Sequence, residues 1–372
     1  MHDPVYLIGS VIVMTFCFVF FLTIFNEGLP QRMPIAVVDQ DNSSLSRQYV
    51  RNLDATQQTK VAMHLNSFTE ARKEMQKGNI YAFVLIKDGF ATDVYANRQP
   101  VITFYVNDGY LVAGSLALKN ITYMSELTNG AAKQKTLLAK GVPESRIMGI
   151  IQPITIDSHL VGNPWANYGI YLLNVLLPGV LQVMIIMLTV YTIGTELKYK
   201  TSKTWLFTAD NSMFAALTGK LMPMTIIFTI LSIISNLLLY KYMHYPMNSS
   251  IGWMFLTSFL YVLAYQAIGV LIMGITPVLR DGVTLGAFYG LLGFTFAGFT
   301  FPIEQLPYVF RIFSGAFPIR HYFEIYVNQA LNGLPIAYSI SQLLALLTFI
   351  FVPLLVFERL KKAALYQNYP IK

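Results

Sequence analysis

Asp39, Asp41 and Asp108 stand at the ends of apolar runs, where a carboxylate could hold a metal ion or serve as a general base in an α/β fold. The same residue type makes turns and helix caps, and nothing nearby completes a reaction centre. His64 and His159 lie far apart without metal-ligand spacing, and no HExxH, GxSxG or dinucleotide-type GxGxxG occurs. Cys17 is the only cysteine, which excludes an internal disulfide and a cysteine-rich zinc site. Gly219-Lys220 looks like the end of a phosphate loop, but Phe214 and Leu221 occupy the positions that need Gly and Ser or Thr. The chain therefore reads as non-enzymatic, with no metal and no cofactor of its own.

The elements that carry these residues are mostly apolar. Of 372 residues 55% are hydrophobic and only 12% charged, against about 25% charged in a soluble domain. Residues 26–167 hold 14 Lys+Arg and 12 Asp+Glu in 142 positions, while residues 168–372 hold 12 and 6 in 205. This contrast points to a water-facing domain joined to a membrane domain. The net charge of +7 is concentrated beside apolar stretches, where a membrane explains it and nucleic acid does not.

Six stretches lack any Asp, Glu, Lys or Arg and are long enough to cross a bilayer as helices: Val5 to Phe25, Gly169 to Ile193, Leu221 to Tyr240, Ile251 to Ile275, Val283 to Thr300 and Tyr338 to Phe357. The expected fold is thus membrane α-helical with six transmembrane helices, and an α/β extracytoplasmic domain inserted after the first. Residues 1–25 form the first helix, 26–167 the inserted domain and 168–372 the other five helices, with a cytoplasmic loop at 194–220. The first stretch exceeds a signal-peptide core and lacks a small-x-small cleavage site, so it is expected to stay uncleaved.

Basic residues set the orientation. Lys198, Lys200, Lys203, Lys220, Arg280, Arg359, Lys361, Lys362 and Lys372 share one side, nine in all, against Lys241, Arg311 and Arg320 on the other. The positive-inside rule puts the nine, and both termini, in the cytoplasm. The segment before the first span carries no Lys or Arg, so either the later spans set the topology or a basic segment that normally precedes Asp3 is missing here, the second being the expectation.

Within the insert, Pro34 to Val38 is a strand ending in Asp39, Gln40, Asp41, Asn42, Ser43 and Ser44, a turn and helix N-cap. A helix to Leu53, a strand over Lys60 to His64, a helix over Ser67 to Lys77 closed by Gly78, and a strand over Tyr81 to Ile86 follow. Val101 to Val106 and a long helix over Leu111 to Lys140 complete the α/β pattern.

The spans contain no acid or base to bind a coupling ion, which argues against an ion-coupled carrier. Their polar residues are Asn174, Gln182, Asn236 and Gln266, candidates either for interhelical hydrogen bonds or for a translocation lining. The 194–220 loop places Trp205, Leu206 and Phe207 among charged neighbours, an apolar cluster fit for a protein partner or the membrane surface. Gly282, Gly286 and Gly290 recur every four residues and form a groove for helix packing, inside one subunit or at a dimer boundary.

Glu196, Thr201, Trp205-Leu206, Thr208, Gly219-Lys220-Leu221 and Pro223 resemble the segment after the second span of type-2 ABC transporter permeases. Asp3-Pro4, Val37-Val38-Asp39, Glu70-Ala71 and Gly78 resemble the family's start and insert, and Phe301-Pro302, Pro307, Pro318 and Glu324 its loop before the last span. Lys200 and Ala209 depart from the usual Gly and Pro, as expected of a subfamily with its own partner. The resemblance implies an exporter subunit in a bacterial inner membrane, paired with a second permease subunit, as homodimer or related heterodimer. A separate ABC ATPase would bind ATP and Mg. Coupling to it would fall to Glu196, Lys198, Lys200, Thr201, Lys203, Trp205, Leu206 and Thr208. A periplasmic adaptor and an outer-membrane channel are further expected partners. A membrane-anchored ligand sensor is the alternative from another class.

Overall fold

The computed structural model describes residues 4–96, 98–153, 159–164 and 166–367, without the side chain of residue 111. Asp3 and Lys372, used above, lie outside the described residues. The chain divides into two compact units, one formed by Met1–Gly28 with His159–Lys372 and the other by Leu29–Ser158.

In chain order the first unit begins with α1 (Pro4–Ile24), uncharged throughout, with a π-helical stretch at Ile8–Ile12. The second unit then runs β1 (Met33–Asp39), α2 (Ser44–Asp54), β2 (Thr59–His64), α3 (Phe68–Gln76), β3 (Ala82–Ile86), α4 (Phe90–Tyr95), β4 (Ile102–Val106), α5 (Leu111–Ala139) and α6 (Glu144–Ile151). The sheet order is β2-β1-β3-β4, with β1 parallel to β2 and β3, and β4 antiparallel to β3. A central parallel strand is buried on both faces, so β1 is nearly all apolar. Ile35 and Val37 pack with Val84, Tyr49, Leu53 and Ile121 on one face, and Ala36 and Val38 with Phe83 and Ala71 on the other. Ser43 and Ser67 cap α2 and α3 by accepting from Ser46 N and Glu70 N. Asp39 is a turn former: one carboxylate oxygen accepts from Asp41 N and Asn42 N, and the other from the Ser46 hydroxyl at 2.7 Å.

The first unit resumes with α7 (Tyr168–Lys198), α8 (Ser202–Thr208), α9 (Met213–Tyr242), α10 (Ile251–Ile275), α11 (Leu279–Thr295), α12 (Tyr308–Ser314), α13 (Pro318–Tyr326), α14 (Ile340–Phe349) and α15 (Phe357–Tyr366). Asn167, Ser212 and Ser250 cap α7, α9 and α10 through their side-chain oxygens. Helix α7 is the hub of this unit, with Leu173, Leu177, Leu181, Ile185, Leu188 and Ile193 all in its core.

Among the described residues five helical stretches are long and apolar enough to cross a membrane: Pro4–Ile24, Tyr168–Lys198, Met213–Tyr242, Ile251–Ile275 and Ile336–Leu355. The expected span at 283–300 is different. Its helix, α11, has 17 residues and starts with Arg280 and Asp281 inside its first turn. At 1.5 Å per residue it reaches about 26 Å, the lower end of what crosses a hydrocarbon core. It stops before Gly298, whose φ of +93° turns the chain back while Ile303 packs against its α-carbon face. The last expected span is also discontinuous, because α14 ends at Phe349 and the chain passes through a short 3-10 turn at Val352–Leu355 before α15.

Candidate coupling surface

Helix α7 carries its charged end past the apolar stretch, and the chain reverses at Lys200, whose φ is +58°. Thr201 makes the turn by donating its hydroxyl to the Glu196 carboxylate, while its backbone N–H donates to Glu196 O at 3.0 Å. Lys220 on α9 forms an ion pair with the same carboxylate, the two side chains being 26% and 16% exposed. The Lys220 ammonium also lies 5.9 Å from the Trp205 ring centroid, and the Trp205 indole N–H donates to Ala216 O at 3.1 Å. Glu196, Thr201, Trp205 and Lys220 therefore brace α8 against α7 and α9. A mostly desolvated ion pair of this kind fixes geometry, since either charge left alone would be costly.

Leu206 overturns its expected role. It is fully buried in the core of its own unit and offers no surface to a partner, and Trp205 is half-buried and internally bonded. A helix of 3.6 residues per turn explains this: Ser202 and Leu206 share the inner face, while Lys203 and Phe207 share the outer. The exposed aromatics are Tyr199 (68%), Phe207 (54%) and Phe214 (67%). Lys198 sits over the Tyr199 ring at 5.5 Å and Lys203 over the Phe207 ring at 5.9 Å. Lys200 is exposed, and Thr208, also exposed, donates its hydroxyl to Trp205 O at 2.7 Å. Helix α15 backs this surface, since the Ser202 hydroxyl donates to Ala364 O at 2.9 Å and Gln367 Nε2 to Lys200 O at 2.7 Å. The helical period alone would have singled out Phe207 over Leu206.

The glycine groove faces inward. A Cβ on Gly286 would stand 2.7 Å from Ile186 Cγ2, one on Gly290 2.8 Å from Val183 Cγ2, and one on Gly282 3.0 Å from Val190 Cγ1. These neighbours belong to α7, and the nearest atom to Gly282 is Met273 Sδ of α10 at 2.8 Å, so the groove serves packing within the subunit and a dimer-boundary role for it is set aside.

The polar span residues are buried and largely engaged with neighbouring helices. Asn174 accepts from the Tyr240 hydroxyl at 2.8 Å, and Asn236 Nδ2 donates to Ser258 Oγ at 2.8 Å. Gln182 Nε2 donates to Gly290 O at 2.9 Å, leaving its Oε1 without a partner. Gln266 accepts from the Thr225 hydroxyl at 2.8 Å and borders a lateral groove. Asn174 and Asn236 thus act as interhelical ties and not as a lining.

A charged cluster on α13 was not foreseen from the sequence. His321 is 8% exposed, with Nδ1 2.5 Å from Gln342 Oε1 and Nε2 3.0 Å from Gly315 O. Glu324 Oε2 and Arg320 Nε are buried without partners. Burial pushes the Glu324 carboxyl above the ordinary glutamate value, against the opposing pull of Arg320 and His321.

Long apolar helices with a charge-dense, aromatic-studded surface at one end are those of a multi-pass membrane protein. The chain belongs to the ABC-2 family of transporter proteins, whose family description, ABC-2 family transporter protein, matches residues 4–357. Membership makes it a transmembrane subunit of an ABC transporter and implies an ABC ATPase as partner. No curated protein matches the chain.

Proposed function

We propose that the chain is the permease subunit of an ATP-driven exporter in a bacterial inner membrane, working as a homodimer or related heterodimer on two separate ATPase subunits that bind ATP and Mg. The observation that carries this is the outer face of α8, where Lys203 and Phe207 stand exposed on a helix braced by the Glu196–Lys220 pair. A helix held rigidly to two long spans can pass a partner's movement to both, which is what switching between inward- and outward-facing states requires. Tyr199, Phe207 and Phe214 supply the apolar contact, and Lys198, Lys200 and Lys203 its charged rim. Glu196, Trp205 and Leu206 support that surface from behind, and the exposed Thr201 and Thr208 fix the turns at its edges through their hydroxyl bonds.

In this reading the end carrying α8 and α15 is cytoplasmic and the α/β unit lies outside, where a periplasmic adaptor with an outer-membrane channel would meet it. The test is co-purification and ATP turnover. The chain co-expressed with its cognate ABC ATPase should capture it, and the ATPase rate of the reconstituted pair should depend on the permease. Turnover unaffected by the chain would sink the reading.

A further inference from the structure

A crevice of about 350 Å³ runs along one flank of α2 in the second unit, between that helix and the edge strand β2. Arg47, Val50, Arg51 and Asp54 line it from the helix, at the i, i+3, i+4 and i+7 spacing that puts four side chains on one face. Asp39 and Asn42 close the end where β1 gives way to its turn, and Val61 and His64 form the wall on β2.

His64 reaches this wall because of an irregularity in the sheet. Val61 pairs with Ile35, Met63 with Ala36 and His64 with Val37, so Ala62 is an extra residue, a bulge on the edge strand. In a regular strand Val61 and His64, three positions apart, would point to opposite faces. The bulge puts both on the α2 face, that of Ile35 and Val37, while Met63 packs with Ala36 and Val38 on the other. It thus aims an imidazole at a helix face that carries two guanidinium groups.

The acids of the crevice are answered from within the unit, and its donors are not. Asp39 accepts from Asp41 N and Asn42 N on one oxygen and from the Ser46 hydroxyl on the other, and Asp54 accepts from Val61 N at 2.8 Å. Among the described residues the Arg51 guanidinium and the His64 ring make no hydrogen bond or ion pair, and both are exposed to solvent. Arg47, one turn from Arg51, gives one N–H to Asn42 O and keeps the rest of its five donors free. A carboxylate offers two oxygens, which a single guanidinium fork saturates, whereas a phosphoryl group offers three and accepts from a second fork and an imidazole as well. Val50 and Val61 are the only apolar residues in the lining, so an acyl chain finds no wall to lie on.

We propose that the crevice is a binding site for a small, soluble phosphate monoester that carries a hydroxyl. Arg47, Arg51 and His64 hold the phosphoryl oxygens. The hydroxyl donates to the second oxygen of Asp54, one turn beyond Arg51, which no donor of the chain occupies.

The full chain, purified in detergent without an ATPase, is titrated calorimetrically with glycerol 3-phosphate and with malate, a hydroxylated dianion of similar size whose charges are carboxylates. Glycerol 3-phosphate should bind at least tenfold tighter. Arg51→Gln should weaken its binding by about tenfold, the scale of one charge-assisted hydrogen bond, and His64→Ala by a smaller factor. Neither side chain has an internal bond to lose, so the melting temperature without ligand should stay unchanged in both. No binding of glycerol 3-phosphate, or equal affinity for malate, overturns the proposal. Undiminished binding by Arg51→Gln overturns it too, because the ion then sits elsewhere. Binding to vesicles containing phosphatidate without binding to glycerol 3-phosphate would make the ligand a lipid head group and overturn the soluble one. No ATPase enters the measurement, so the export reading stands or falls separately.

Discussion

At the scale of single residues, adjacent side chains on α8 have opposite fates. Leu206 faces the core and Phe207 faces solvent, so truncating them should damage different properties. Leu206→Ala should cost about 2–5 kcal/mol of stability, the usual cost of emptying a core leucine site. Phe207→Ala with Phe214→Ala should leave thermal stability nearly unchanged while reducing ATPase capture by tenfold or more, because each removes exposed apolar surface only. If Phe207→Ala melts early and Leu206→Ala releases the ATPase from a stable permease, the assignment of faces is wrong. Glu324 makes a different residue-scale prediction. Its carboxyl is shifted upward by burial, so the folded state holds the proton more tightly than the unfolded chain. That contribution to stability is present below the ordinary glutamate pKa and is lost as pH rises through the folded value. Glu324→Gln should therefore gain in melting temperature relative to the unaltered protein as pH rises above the ordinary glutamate range, then level off. A difference in melting temperature that does not change with pH removes the argument.

At the scale of elements, packing sets what a substitution can do. The Gly286 face of α11 is filled by Ile186 of α7, so Gly286→Leu should disrupt the folded subunit itself. Size-exclusion profiles should show loss of monodisperse protein, and a well-folded monomer that only fails to dimerise would restore the boundary reading. Much of this level was legible in the chain. The apolar run Ile35 to Val38 became the central strand, because only a strand buried on both faces has no polar positions to alternate with. Ser43 and Ser67 marked helix starts, because a hydroxyl before a periodic run answers the free N–H groups there. The last span was read at its observed length, 338–357 against Ile336–Leu355, but neither its break nor the extent of the fifth was drawn from hydropathy. Hydropathy reports whether a stretch tolerates lipid, whereas the turn at Gly298 is set by Ile303 packed against it and the interruption at Phe351 by Pro353, which has no N–H to carry the helix on. The α8 residues were half legible: the aromatic cluster was visible, but its inner and outer faces required a helical phase that a loop assignment does not supply.

At the scale of the whole molecule, the basic residues on which the proposed orientation rests come from segments far apart in sequence. Lys198, Lys200 and Lys203 flank the reversal into α8, and Arg359, Lys361 and Lys362 belong to α15, which is bonded to α8 through Ser202–Ala364 and Gln367–Lys200. The fold thus gathers both basic groups at one end of the first unit, as a common cytoplasmic exposure requires. Lys220 contributes less than its formal charge, because Glu196 neutralises it locally, and the excess on this end stands without it. The consequence is testable with impermeant thiol reagents in a Cys17→Ser background. Arg98→Cys replaces a surface side chain 66% exposed in a pair with Asp93, so the new thiol is reachable and its loss of one ion pair costs little. It should be labelled in intact spheroplasts. Lys203→Cys, on the exposed face of α8, should be labelled only after lysis, and ATPase bound to the permease should slow that labelling. Labelling of Lys203→Cys in intact spheroplasts, with Arg98→Cys protected, would invert the topology and take the coupling surface out of reach of any cytoplasmic ATPase.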